Sequence, residues 1–147
     1  MDWNTYFFNI INVVKEKSKD PNTHIGCVIV GPDNEIRSTG YNSFPRGIND
    51  NVPERKERPE KYFWMSHAEA SAIANAAKTG ISTDKCTLYV SVIPCADCAR
   101  LIINCGVKHV IYMQSEQDKW SSGKYDKTNM ERSLIMFNEA GITVTAI

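Results

Sequence analysis

The spacing of two short motifs limits how this chain can fold more than any other feature. His67-Ala68-Glu69 and Pro94-Cys95-Ala96-Asp97-Cys98 stand 28 residues apart, counted from His67 to Cys95, and each begins a stretch that reads as a helix. Cys95 and Cys98 are three residues apart, so on a helix they share a face and can grip one ion together. For His67 to join them, the chain between must travel out and come back. A helix over 67–79 covers roughly 20 Å at 1.5 Å per residue, and a strand over 87–93 returns about the same distance at 3.3 Å per residue. The two helix starts then lie side by side at one end of a sheet, an α/β arrangement.

The remaining pattern supplies that sheet. Trp3, Tyr6, Phe7, Ile10, Ile11 and Val14 recur at helical spacing behind Asp2, a good N-cap residue, and predict a helix over 3–18. Ile25 to Val30 is a short apolar run, Gly31-Pro32-Asp33-Asn34 is a turn signal, and Glu35 to Tyr41 alternates, which together predict a hairpin. Residues 42–65 hold three of the six prolines and a mixed-sign charge cluster from Glu54 to Lys61, and read as a long surface loop. An Ala-rich helix from His67 to Lys78 stops at Gly80, and Cys86 to Val92 is a buried strand. Pro94 opens a helix through Asn104, Lys108 to Met113 is a strand, and the polar, Ser/Gly-rich segment 114–126 reads as a loop. Thr128 to Ala140 is helical and Ile142 to Ile147 is a last strand. The order α-β-β-α-β-α-β-α-β implies a mixed five-stranded sheet with helices on both faces.

The 147 residues suit one domain, 1–147, with no internal repeat. Lys plus Arg and Asp plus Glu each count 17, so the formal net charge is zero. A nucleic-acid partner calls for a clustered basic excess, which speaks against one here, whereas a small anion needs only one or two donors. No run approaches the roughly 20 apolar residues of a membrane span. Trp3 to Val14 is broken by polar residues and lacks a basic start and a cleavage site, so the expectation is a cytoplasmic protein without a membrane partner. Five cysteines exclude a complete set of intramolecular disulfides and point to reduced thiols. Cys27, Cys86 and Cys105 lie in or beside apolar runs and read as buried core residues.

Two thiolates and one imidazole make three protein ligands, which leaves a tetrahedral position of Zn²⁺ open to water, as a catalytic site requires. The thiolates neutralise the ion, and a helix N-terminus offsets part of their negative charge. Glu69, two residues after His67, is too close to be a comfortable co-ligand yet near enough to move protons to and from that position. Each motif alone has a plainer reading. Ser66-His67-Ala68-Glu69 fits a capping box in which Glu69 bonds the Ser66 backbone, and Cys-x-x-Cys fits a redox pair or two buried thiols. Together, H-x-E followed by P-C-x-x-C is the signature of the zinc deaminases.

With these residues in view, the chain resembles the zinc-dependent cytidine/deoxycytidylate deaminase superfamily, and within it the deoxycytidylate (dCMP) deaminases. The likeness runs along nearly the whole chain. It rests on Lys19-Asp20-Pro21-Asn22-Thr23, on Gly40-Tyr41-Asn42-Ser43-Phe44-Pro45-Arg46-Gly47, on both metal motifs, and on Phe137-Asn138-Glu139-Ala140-Gly141. His67 sets it apart from the tetrameric cytidine deaminases, which carry Cys-Ala-Glu there. The resemblance implies a cytidine-deaminase-like three-layer α/β/α sandwich, with zinc on His67, Cys95 and Cys98. It implies hydrolysis of dCMP to dUMP and ammonia, supplying dUMP for thymidylate synthesis, with Glu69 protonating N3 and then the departing amine. It further implies that the Ala68 backbone N–H holds the pyrimidine O2 and Asn42 the deoxyribose hydroxyl, and that Asn22, Thr23, Lys119 and Trp120 lie near the 5′-phosphate. As residue types alone, Asn42 also fits a turn and the other four also fit solvated loops.

Relatives that bind a second zinc carry extra Cys or His in the insertion before the catalytic His. Residues 42–65 contain neither, which implies one Zn²⁺ per chain. Ser71 stands where family members often have Asn, a change expected to affect packing. Many dCMP deaminases are hexamers activated by dCTP and inhibited by dTTP, so a homo-oligomer, a hexamer first, and those effectors belong to the expectation. Arg46 and the charged insertion would serve an effector site or simply face water. The same metal site also serves tRNA adenosine deaminases, deaminases of nucleosides and nucleobases, and, outside enzymes, a nucleotide-binding module with structural zinc. Zero net charge without a Lys/Arg-rich tail weighs against RNA.

Overall fold

A computed structural model of the chain describes residues 1–121 and 127–147. Its centre is β1 (Gly26–Val30), whose five residues are all buried. A strand apolar on both faces needs cover on both. Val28 and Val30 meet Phe7, Phe8 and Ile11 of α1 (Trp3–Val14), a helix whose N-cap Asp2 accepts the Thr5 N–H at 2.8 Å. Cys27 and Ile29 face the larger core on the other side. A 3₁₀ turn, Lys15–Lys17, completes the helical stretch expected over 3–18.

β2 (Ile36–Tyr41) pairs antiparallel with β1 as a hairpin, and β3 (Thr87–Val90) pairs antiparallel with its other edge. β4 (His109–Tyr112) and β5 (Thr143–Ala146) follow in parallel, giving the order β2-β1-β3-β4-β5. Helices α3 (Ala68–Thr79), α4 (Ala96–Asn104) and α6 (Lys127–Glu139) send Ala72, Ala99, Ile102 and Phe137 into the larger core, opposite α1. The result is the mixed five-stranded sheet and the three layers expected. No helix among the described residues is long and apolar enough to cross a membrane.

Two segments differ from expectation. Residues 114–126 were expected to be loop, but Gln114–Ser121 form a helix, α5; residues 122–126 lie outside the described residues. This helix has no apolar stripe to betray it. It is held by Gln114 to Asp118 at 2.7 Å, by Lys119 to Glu116 at 3.1 Å, by the buried Gln117, and by the half-buried Trp120 against the larger core. Segment 42–65 is likewise more than a solvated loop. It contains a 3₁₀ turn, Pro53–Lys56, and a single helical turn, α2 (Lys61–Trp64), and it closes on itself where Ser43 and Ser66 exchange backbone bonds of 3.2 and 2.8 Å. Lys61, read as part of an exposed charge cluster, is buried. Among the three non-ligand cysteines, Cys27 and Cys86 are buried as expected, whereas Cys105 is only half-buried.

Because β2, β3 and β4 run the same way and β1 runs against them, the segments leaving the first three and the loop entering β1 emerge at one end of the sheet. That is where open α/β sheets bind ligands. The start of α3 is set there by direct contact. A Cβ on Gly40 would lie 2.3 Å from the Ala68 carbonyl and 2.4 Å from the Ala72 nitrogen, so only glycine lets α3 lie this close to β2. Ser38, on the same face, donates to the Ala72 carbonyl at 2.6 Å. Replacing Gly40 by Ala is expected to lift the start of α3 from the sheet. We expect a loss of at least about 1–3 kcal/mol in stability together with a lower zinc content, read by urea denaturation and a metal assay; unchanged values in both would contradict the contact's role.

Candidate active site

The expected approach of the two helix starts is present. Gly80 ends α3 in the left-handed conformation (φ 73°), and the chain returns along β3 to the start of α4. His67 is the N-cap of α3, Cys95 is the N-cap of α4, and Cys98 lies in the first turn of α4. His67 Nδ1 is 3.4 Å from each sulfur, and the three ligand atoms all lie within 4.8 Å of one another. A tetrahedral zinc with bonds of about 2.3 Å to sulfur and about 2.05 Å to nitrogen places N and S about 3.5 Å apart. The donor set and its spacing therefore fit Zn²⁺. Among the described residues no further His, Cys or carboxylate joins the set, which leaves a coordination position for something other than protein.

Glu69 does not make a capping box. The helix begins one residue later than that motif needs, with His67 as N-cap and no side-chain cap bond, and Ser66 spends its N–H on Ser43. The Glu69 carboxyl instead lies in the site against Cys98. It is 4% exposed, and burial pushes its pKa up, which favours its protonated form. The ligands share protons in the same way. The Cys98 thiol donates to Cys95 and pulls that thiol down to about 4, while the same bond and burial push Cys98 itself up. His67, bonded to Cys95, is raised to about 9. A divalent ion must displace these protons, so its uptake releases protons and weakens as the pH falls.

Side chains from α5 and α6 fasten the segment that bears the thiolates. Gln117 accepts the Ile93 N–H at 2.8 Å, and Asn129 accepts the Ala96 N–H at 2.6 Å, where an N-terminal helix donor has no partner of its own. The sequence gives no sign of either role, since both contacts span more than 20 residues.

These elements surround a cavity of about 740 Å³. His67, Ala68, Glu69 and Cys95 line it, as do Asn22, Thr23, Asn42, Lys119 and Trp120, so every residue expected to touch substrate shares one space. Ala68 holds the first position of α3, where its N–H has no intrahelical partner. Asn42 is buried and braces the neighbouring loop, its Nδ2 donating to the Thr23 carbonyl at 2.9 Å and its Oδ1 accepting the Ile25 N–H at 2.8 Å. One N–H and one lone pair of that amide lie beyond these two bonds. Asp20, Arg58 and Lys61 also line the cavity, though the charge cluster from 54 to 61 gave no hint of it. Arg46 does not line it; its guanidinium donates to Asn75 at 2.7 Å on the outer part of α3.

The model of the cytidine and deoxycytidylate deaminase zinc-binding region matches residues 1–114. The chain belongs to this deaminase family. It is similar to the deoxycytidylate deaminase of Homo sapiens, with 36% identity over 97% of this chain and 78% of the human one. In fold it is similar to the dCMP deaminase of the cyanophage S-TIM5 in complex with dCMP and dUMP. There the TM-score is 0.76 at 22% identity, over 97% of this chain and 95% of that one. A tRNA:A34 deaminase also shares the fold, with a TM-score of 0.52 at 23% identity over 76% of this chain and 77% of that one.

Ligands and bystanders among the cysteines should separate cleanly. Replacing Cys98 by Ser is expected to reduce bound zinc to a small fraction of its wild-type level, whereas Cys105→Ser should leave it unchanged. Metal analysis after gel filtration checks both, and full zinc in the Cys98 variant would remove it from the ligand set.

Proposed function

We propose that this deaminase hydrolyses dCMP to dUMP and ammonia, using one Zn²⁺ per chain held by His67, Cys95 and Cys98. The observation that carries the reading is the buried Glu69 carboxyl placed beside a three-ligand site in a cavity shared with polar and cationic side chains. Zinc at these ligands supplies Lewis acidity toward water.

The chain's own residues account for the rest. In the overall reaction the oxygen of one water becomes O4 of uracil, one of its protons ends on N3, and the other leaves with the amino group as ammonia. Glu69 is the carrier for both transfers, because its carboxyl lies in the site against Cys98 and burial favours its protonated form. The Ala68 N–H, pointed away from intrahelical use, supports the pyrimidine O2, and Asn42 supports the deoxyribose with the bonding capacity its loop contacts leave.

The human relative and the dCMP-bound cyanophage enzyme support the nucleotide as substrate. Because the fold is also that of a tRNA deaminase, fold alone does not choose between substrates. The zero net charge favours a mononucleotide over RNA. The proposal extends to a hexamer controlled by dCTP and dTTP, which sedimentation velocity and assays with each triphosphate test.

Glu69→Gln is expected to keep zinc and stability while turnover falls by about 10²-fold or more. Metal analysis, thermal denaturation and the absorbance change on deamination check this, and a variant that retains turnover would remove Glu69 from the reaction. Strong wild-type preference for cytidine over dCMP would overturn the substrate.

A further inference from the structure

Among the described residues three Lys and Arg side chains line the cavity, and two of them are already matched. Lys61 Nζ lies 3.0 and 3.3 Å from the two oxygens of Asp20, and both residues are about 5% exposed or less, so this pair is sealed within the wall. Lys119 reaches Glu116 at 3.1 Å. Arg58 is exposed and lines the same cavity, and among the described residues no carboxylate pairs with it. The cavity is also graded. Its reactive end, at Ala68 and Glu69, is buried, while Arg58 belongs to its solvent-exposed part.

A nucleoside monophosphate has the same grading, with a flat base at one end and a hydrated dianion at the other. Its phosphate needs a cation whose charge is not yet neutralised. A guanidinium also offers a planar fork that can meet two phosphate oxygens at once. We propose that Arg58 binds the 5′-phosphate and is the residue by which this site distinguishes a nucleotide from the corresponding nucleoside. This rests on the reading of the cavity as a mononucleotide deaminase site.

The buried pair explains how Arg58 is positioned. Asp20 Oδ1 accepts the backbone N–H groups of Asn22 and Thr23 at 2.8 and 3.2 Å as well as Lys61 Nζ. One carboxylate thus ties the loop carrying Asn22 and Thr23 to the segment that carries Arg58 three residues before Lys61. The two sides of the phosphate subsite are held together without using Arg58's own charge.

The test compares zinc-loaded wild type, Arg58→Ala and Arg58→Lys on dCMP and deoxycytidine, with binding of dUMP and deoxyuridine followed by calorimetry. Arg58→Ala is expected to raise KM for dCMP and Kd for dUMP by about tenfold or more, with kcat for dCMP within about twofold and no comparable loss on deoxycytidine or deoxyuridine. Arg58→Lys should recover part of the loss, since it restores the charge without the fork. Equal losses on nucleotide and nucleoside, or no loss on dCMP, would overturn the assignment. A wild-type protein that prefers dCMP while Arg58→Ala keeps the preference removes Arg58 alone. A wild-type protein with no preference for dCMP over deoxycytidine removes the substrate reading, and Arg58's role with it.

Discussion

The start of α3 rests on β2 so closely that the Ala68 carbonyl and the Ala72 nitrogen occupy the space a side chain at residue 40 would need. That contact fixes the height and direction of the helix whose first residues are His67, Ala68 and Glu69. The other half of the site comes from the start of α4, and the two meet because β2 and β3 run parallel on either side of β1. Each strand delivers the next helix to the same end of the sheet. A shift of α3 of even 1 Å would move one ligand away from two, and tetrahedral zinc tolerates little of that.

Two kinds of electrostatic group occupy this end of the sheet and behave differently. Glu69 and the ligand cysteines are coupled to one another through burial and mutual hydrogen bonds, which shift their affinity for protons. Asp20 and Lys61 instead form an ion pair sealed within the wall. A buried ion pair of this kind is seldom a net source of stability, since desolvation offsets most of its attraction. Its value here is geometric, because the Asp20 carboxylate also receives two backbone N–H groups and so joins segments far apart in sequence. Removing one partner would leave a buried charge and free both segments.

The elements most legible in the sequence were those whose signal is local. The metal motifs could be placed because ligand spacing is a geometric demand on a helix start, and the helix out and strand back follow from chain length alone. β1 and α1 were visible through their apolar runs and periodicity. The helix α5 was not, because its buried residue among those described is a glutamine, its one apolar contact with the core is the half-buried Trp120, and polar pairs such as Gln114–Asp118 do the rest. Lys61 was read as solvated for a related reason: its burial depends on a carboxylate 41 residues away. Gln117 and Asn129, which hold the backbone around Cys95, belong to the same class, and nothing in their neighbours announces the contact.

That division also bears on substrate choice. The parts readable from local pattern are the sheet and the two ligand-bearing helix starts, and the fold they build is also that of a tRNA deaminase. What the structure adds is how segments 18–25, 42–66 and 113–120 close the cavity around them. Discrimination between a mononucleotide and a polynucleotide does not follow from a shared fold. It has to reside in how these segments enclose the space. Asn42 ties the segment after β2 to the 20–25 loop, and Gln117, bonded to the backbone before Cys95, connects α5 to a ligand-bearing segment. A change in α5 therefore reaches the metal site through the Gln117–Ile93 hydrogen bond, and there the two functions of the fold, holding an ion and selecting what meets it, are mechanically joined.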